Sequence, residues 1–178
     1  FYHSKLNFKW PKGGQLFDWH QDIPAWPHTD YSPVTMGLHM EDCQSDQGPL
    51  ISIKGSHKEP LRSMYDAEGK WVLRIDEDKL PANWRDNAVE MTGPAGSLAL
   101  LNCRVIHGSK RNASDRMRPL LLNVYSSADS MPYVFNPIPS PYEAAVVHGK
   151  AARKSCHDPR GCELPPDWSK GYSGPWQH

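Results

Sequence analysis

Gly93-Pro94-Ala95-Gly96 turns the chain into Ser97-Leu98-Ala99-Leu100-Leu101-Asn102-Cys103-Arg104-Val105-Ile106-His107, and the fold is decided by how this stretch is read. In an extended chain successive side chains alternate, so Leu101, Cys103, Val105 and His107 share one face while Asn102 and Arg104 point the other way. The run reads as one strongly apolar strand, Ser97 to Ile106, with His107 closing its inward face. A polar imidazole at the end of a buried face needs a partner.

Outward from this strand the chain repeats one theme, a short β-type run between turn signals. After the polar loop Gly108 to Asp115, Arg118 to Ser126 reads as the next strand. Before it come Ala88 to Met91, then Leu50 to Lys54, set between the turns Asp46-Gln47-Gly48-Pro49 and Gly55-Ser56. Val34 to Met40 is a further strand, and Leu16 to Ile23 is a short aromatic run stopped by Pro24. At the start, Phe1 to Trp10 alternates, with Tyr2, Leu6, Phe8 and Trp10 on one face and His3, Lys5, Asn7 and Lys9 on the other, and it ends at Pro11-Lys12-Gly13-Gly14. The stretch His57 to Glu90 is polar, with a possible helical turn at Asp76 to Leu80. From Asp129 proline and glycine dominate, which predicts an irregular tail over 129–178 packed on the domain. Seven or eight short strands with no long amphipathic helix predict a β-rich jelly roll, a double-stranded β-helix, forming one domain over 1–178.

Composition agrees. The 178 residues carry 20 basic and 20 acidic side chains, so the electrostatic footprint of a nucleic-acid or membrane-surface binder is absent. The 17 prolines and 13 glycines, beside seven tryptophans and seven tyrosines, are too many breakers for a helical bundle. No apolar stretch approaches the roughly 20 residues of a membrane-spanning helix. Four cysteines, Cys43, Cys103, Cys156 and Cys162, are too few for a disulfide scaffold, and Cys156 and Cys162 match no strong zinc pattern. No signal-peptide pattern opens the chain, so a reducing, cytoplasmic setting is expected.

Trp19-His20-Gln21-Asp22 is the sharpest local feature. Residues two apart in an extended chain face the same way, so His20 and Asp22 would offer an imidazole nitrogen and a carboxylate oxygen from one side. Alone, such a pair reads as well as a hydrogen-bonded surface pair, and His107 alone as a satisfied core-edge histidine. Together, two imidazoles and one carboxylate form the facial triad of non-haem iron(II), with positions left for a co-substrate and dioxygen. Arg118 opens the following strand with a planar guanidinium suited to a bidentate carboxylate. Arg111 and Arg116, in the basic loop before it, read as surface charges.

In this order, Trp19-His20-Gln21-Asp22, Asp46-Gln47-Gly48-Pro49-Leu50, Gly55-Ser56-His57, His107-Gly108-Ser109 and Arg118 resemble the phytanoyl-CoA dioxygenase family. This branch of the iron(II)/2-oxoglutarate oxygenases includes ectoine hydroxylases. The likeness runs from about Lys5 to Tyr125, and Pro165-Pro166-Asp167-Trp168 also resembles tails of that family. The resemblance implies that His20, Asp22 and His107 hold iron, that Arg118 pairs with the distal carboxylate of 2-oxoglutarate, and that Ser109 assists it. It places Asn7 as a polar co-substrate contact and Trp26 as an aromatic near the iron. Halogenases of the superfamily lack the carboxylate ligand, so Asp22 favours hydroxylation. The implied reaction hydroxylates a C–H bond of a small molecule, using Fe(II), 2-oxoglutarate and O2 and releasing succinate and CO2. Candidate substrate contacts are Lys5, Gln15 and Trp26, with Lys9, His28, His39 and Glu143 as further polar groups. Relatives usually carry a longer N-terminal region before the segment matching Lys5, so an N-terminal portion is expected to be absent here. Two other classes use parts of the pattern: a carbohydrate-type jelly-roll binding module stacking sugars on its aromatics, and a cupin-type metalloenzyme without a keto acid.

Overall fold

A computed structural model describes residues 1–171, so the last seven positions of the expected tail lie outside the described residues. Eight strands form: β1 (His3–Lys9), β2 (Phe17–His20), β3 (Val34–His39), β4 (Leu50–Ile53), β5 (Ala88–Met91), β6 (Leu98–Asn102), β7 (His107–Ser109) and β8 (Arg118–Tyr125). They make two four-stranded antiparallel sheets, ordered β1-β8-β3-β6 and β2-β7-β4-β5. Every connection crosses from one sheet to the other except that between β4 and β5. That alternation is the winding of a jelly roll. Helical structure among the described residues is limited to a four-residue helix, α1 (Trp84–Asn87), and three short 3-10 turns, one of them at Glu77–Lys79 inside the expected Asp76 to Leu80. None is long and apolar enough to cross a membrane.

The apolar run Ser97 to Ile106, expected to be one strand, is a strand followed by a turn. β6 ends at Asn102, whose carbonyl accepts the Val105 N–H at 2.9 Å and whose side-chain Oδ1 accepts the Arg104 N–H at 3.0 Å. An asparagine that bonds the backbone two residues on makes a turn in place of ladder. The turn over Cys103 to Val105 carries the chain from the first sheet to the second, so His107 starts β7 and does not close β6.

β1 is turned inside out. Its register sets His3 opposite Val124, Lys5 opposite Leu122, Asn7 opposite Leu120 and Lys9 opposite Arg118. Because Leu120, Leu122 and Val124 are buried, the polar row of β1 faces the interior, and Leu6 and Trp10 lie outside, 55% and 66% exposed. Half of an alternating strand goes inward, and here the polar half does. The interior of the roll is a small apolar cluster of Leu50, Leu101, Val105, Leu120 and Leu122. The larger core sits at one end, where Ile23, Trp26, Met64, Trp71, Leu73, Ile75 and Ile106 pack with the tail residue Trp168. The Trp168 indole N–H donates to the Ala25 carbonyl at 3.0 Å, a contact between residue 168 and the segment after β2.

Three buried polar side chains brace the strand ends. Gln47 accepts from the Gln44 N–H and donates to the carbonyl of Met117, next to Arg118. Ser56 Oγ donates to the Ile53 carbonyl and accepts the N–H of Ile106, next to His107. Gln21, next to Asp22, donates to the Arg104 carbonyl and accepts from the Arg62 N–H. Gly48, with φ of +64°, brings its loop against the Lys110 backbone where a Cβ would collide.

Candidate metal centre and anion pocket

His20 and His107 are register partners on β2 and β7, with ring centroids 4.2 Å apart. Between Phe17 and His20 three steps of β2 match two of β7, a bulge that re-aims the strand end. β2 stops at His20, so Asp22 does not share an extended strand with it as expected. Asp22 instead begins a turn whose carbonyl accepts from the Ala25 N–H at 3.0 Å. The turn nonetheless returns its carboxylate to the cluster. Oδ1 lies 3.9 Å from His20 Nε2 and 3.8 Å from His107 Nε2, and the ligand atoms of all three residues fall within 4.8 Å of one another.

Each imidazole is oriented through its other nitrogen. His20 Nδ1 lies 2.7 Å from the Asp18 carbonyl and His107 Nδ1 lies 3.1 Å from the Val105 carbonyl. A carbonyl only accepts, so Nδ1 carries a hydrogen in both rings and Nε2 is the atom turned toward Asp22. Burial, then the neighbouring His107, lower the His20 pKa to about 3 against the pull of Asp22, which keeps that ring neutral. Burial raises the Asp22 carboxyl, but the two imidazoles, Lys5 and the Thr35 hydroxyl outweigh it and leave it ionised. Thr35 Oγ1 donates to Asp22 Oδ2 at 2.8 Å. Two imidazoles and one carboxylate, converging and nearly buried, are a donor set that fits a divalent transition metal.

The expected anchor residues lie on the same inner surface. Arg118 is 1% exposed, and all three of its guanidinium nitrogens lack a hydrogen-bond partner among the described residues. Ser109 follows His107 on β7 with the same facing, one alternate step away, or about 7 Å along the strand. Ser109 meets not Arg118 but Lys9, whose ammonium donates to Ser109 Oγ at 2.7 Å and to the Lys110 carbonyl. Arg116 is the surface charge expected of it, paired with Asp46 at 2.9 Å.

Two cavities meet the cluster. A small one of 40 Å³ lies inside the roll, touching Asn7, Phe17, Asp22, His107, Leu50 and Leu122. A larger one of 420 Å³ opens outward past Lys5, Gln15, Trp26, Leu73 and Ile138, with His20 and Asp22 in its wall. The structure therefore brings Asn7, Lys5, Gln15 and Trp26 to the cluster, Gln15 at the exposed rim and Trp26 buried. Glu143 and His28 do not line either cavity; His28 is buried beside Pro132. Sequence reasoning gave no role to Thr35, to the Asp18 and Val105 carbonyls, or to His3, which lines both cavities. Alternation placed His3 on one face of the first strand without saying that the face was internal, and Thr35 was legible only as part of a strand.

The family described as phytanoyl-CoA dioxygenase (PhyH) matches residues 1–120. A protein of Stutzerimonas stutzeri named "Probable alpha-ketoglutarate-dependent hypophosphite dioxygenase" is 33% identical over 171 residues, covering 92% of this chain and 56% of that protein. Crystal structures of EctD from S. alaskensis are similar in fold. The one with 2-oxoglutarate and 5-hydroxyectoine has a TM-score of 0.57 at 25% identity, covering 85% of this chain and 53% of that one. The one with bound Fe has a TM-score of 0.56 at 26% identity, covering 83% and 48%. The chain thus spans about half the length of the curated relatives it matches.

Proposed function

The chain belongs to the phytanoyl-CoA dioxygenase family, and from that premise we propose that it is an Fe(II)- and 2-oxoglutarate-dependent dioxygenase that hydroxylates a C–H bond of a small molecule. The observation that carries this reading is the convergence of His20, Asp22 and His107 within 4.8 Å, in a roll whose last strand opens on Arg118, buried and unpartnered among the described residues. When bound, iron(II) with 2-oxoglutarate and dioxygen supplies the oxidation, which inserts one oxygen atom into the substrate and releases succinate and carbon dioxide.

The protein's part is binding and orientation. His20 and His107 offer their Nε2 lone pairs and Asp22 offers Oδ1, each held from behind by Asp18, Val105 and Thr35. Arg118 and Ser109 hold the distal carboxylate of the keto acid, and Asn7, on the inner face between them and the cluster, contacts the same molecule. Trp26 and Phe17 limit water at the reacting centre. The substrate enters the 420 Å³ cavity, in which Lys5 is the one cationic side chain among the described residues and burial keeps His3 neutral, at a pKa of about 4. With Asp22 turned to the imidazoles, Lys5 suits a substrate carrying an anionic group. The relative from Stutzerimonas stutzeri, named for the hypophosphite anion, supports that class.

We read residues 1–178 as one catalytic domain, and the anchoring of Trp168 in the core supports including the tail. The four cysteines are unpaired, which supports a reducing, cytoplasmic setting. A sugar-binding module leaves the convergence of His20, Asp22 and His107 and the buried Arg118 without a purpose. A cupin-type enzyme without a keto acid leaves the buried Arg118 without a purpose. Titration with iron(II) and then 2-oxoglutarate separates the three: the oxygenase binds both, the cupin only metal, and the module neither.

A further inference from the structure

Away from the metal cluster, a cavity of 280 Å³ lies between the start of β1, the segment after β2 and the tail. Tyr2 and His28 line it, 3% and 4% exposed, with ring centroids 4.7 Å apart and the rings nearly perpendicular. Neither residue lines the two cavities that meet the cluster. The phenol oxygen of Tyr2 and Nε2 of His28 are both buried, and neither has a hydrogen-bond partner among the described residues. His28 Nδ1 lies 2.7 Å from the Trp26 carbonyl, so that nitrogen carries the hydrogen, and burial lowers the pKa of the ring. Nε2 is therefore a bare acceptor. Burial, and after it the Glu143 carboxylate, push the Tyr2 phenol up, so its hydroxyl keeps its hydrogen and is free to donate. Buried polar atoms are nearly always paired, and here a lone donor stands beside a lone acceptor. The wall is held in place, since His28 forms a β-bridge with Pro132 and the Thr29 N–H donates to the Met131 carbonyl at 2.8 Å.

We propose that this cavity is a second binding site, for a small uncharged aliphatic alcohol. A hydroxyl is the smallest group that accepts from the Tyr2 phenol and donates to His28 Nε2 through one oxygen. The aliphatic body of the ligand meets Met131, Pro132, Ala144 and Val146, all of which line the cavity. No lysine or arginine lines it among the described residues, and its acid, Glu143, is exposed. An anion therefore meets no cationic side chain here, in contrast to the substrate cavity with Lys5. The two sites take different chemistry, and this one needs neither the metal nor a keto acid.

The test titrates cyclohexanol, and cyclohexanone, which has the same ring but only accepts, into the zinc-loaded full chain and into its Tyr2→Phe variant, followed by nitrogen NMR of the histidine side chains. The wild type is expected to bind the alcohol at least about threefold more tightly than the ketone, with a shift of the His28 Nε2 signal. Tyr2→Phe, which removes only a hydroxyl without a partner among the described residues, should weaken alcohol binding at least about threefold and leave the protein no less stable. No binding of cyclohexanol, or equal binding of alcohol and ketone, overturns the proposal. Alcohol binding that Tyr2→Phe leaves unchanged overturns it too, and places the alcohol in the substrate cavity, which Tyr2 does not line. Should Tyr2→Phe fail to fold, the wild-type His28 signal decides: a shift of Nε2 that cyclohexanol causes and cyclohexanone does not supports the site, and no shift with the alcohol overturns it.

Discussion

Thr35 Oγ1 donates a hydrogen bond to Asp22 Oδ2 at 2.8 Å and so turns the other carboxylate oxygen toward His20 and His107. Partners behind a ligand typically tune metal affinity by about 10–100-fold. Thr35→Val, which keeps the branched shape, is expected to weaken Fe(II) binding by roughly that factor. An anaerobic titration monitored by tryptophan fluorescence reads it, and an unchanged affinity would show that the bond does not position Asp22.

In the proposed anchor Arg118 holds the most demanding position, buried with its three guanidinium nitrogens unpartnered among the described residues. Charge-assisted hydrogen bonds contribute about 1.5–3 kcal/mol each, so the loss of even one of the pair in Arg118→Met should raise the KM for 2-oxoglutarate by at least roughly 10–150-fold. Arg118→Lys should recover little of it, because the ammonium lacks the fork. Full recovery by lysine would contradict bidentate binding.

Lys9 gives the free protein a pH dependence whose sign follows from its environment. Burial, then the charges of Arg118 and Arg111, lower its pKa to about 7 against an ordinary 10.5, with only Cys43 acting the other way. Below pH 7 the lysine is protonated in both folded and unfolded chains and its penalty is constant. Between about 7 and 10.5 the unfolded chain holds the extra proton, so stability rises with pH, by at most about 1.4 kcal/mol per unit. Chemical denaturation of the metal-free protein between pH 7 and 9 should show this rise in the wild type and its loss in Lys9→Met. Parallel curves for the two proteins would remove Lys9 as the cause.

Much of this architecture is legible in the residues. Ala88–Met91 appears with its expected bounds, and the other strands are displaced by at most a few residues, because Gly, Pro and Asn punctuate the chain where it turns. The break after Asn102 is the instructive exception. Apolar periodicity runs straight through Cys103 to Ile106, and only the backbone bonding of the Asn102 side chain shows that the chain changes sheets there. The cluster of His20, Asp22 and His107 was legible from residue type and order, but not its construction, since a bulge and a turn bring the three together in place of a shared strand face. Lys9 was visible only as one more polar residue. Alternation says which side chains share a face, not which face is buried, and β1 reverses the usual choice because its polar row lines the site.

The tail contributes to stability through Trp168, 3% exposed, whose ring lies 6.3 Å from that of Trp71. Trp168→Ala removes that packing and the bond to the Ala25 carbonyl, and should cost about 3–5 kcal/mol. Urea denaturation checks it. A change below about 1 kcal/mol, within the range of an ordinary surface substitution, would mean that the tail is not part of the cooperative domain.

The central claim is that His20, Asp22 and His107 form the site at which 2-oxoglutarate is consumed. Succinate release from 2-oxoglutarate, measured with Fe(II) and dioxygen across a panel of small phosphinates, phosphonates, carboxylates and amino acids, tests it most directly. The wild type should form succinate in step with loss of one member of the panel, and Asp22→Ala and His107→Ala should form none while remaining folded. Succinate formation that persists unchanged in Asp22→Ala, or none by the metal-loaded wild type with any member of the panel, would contradict the account.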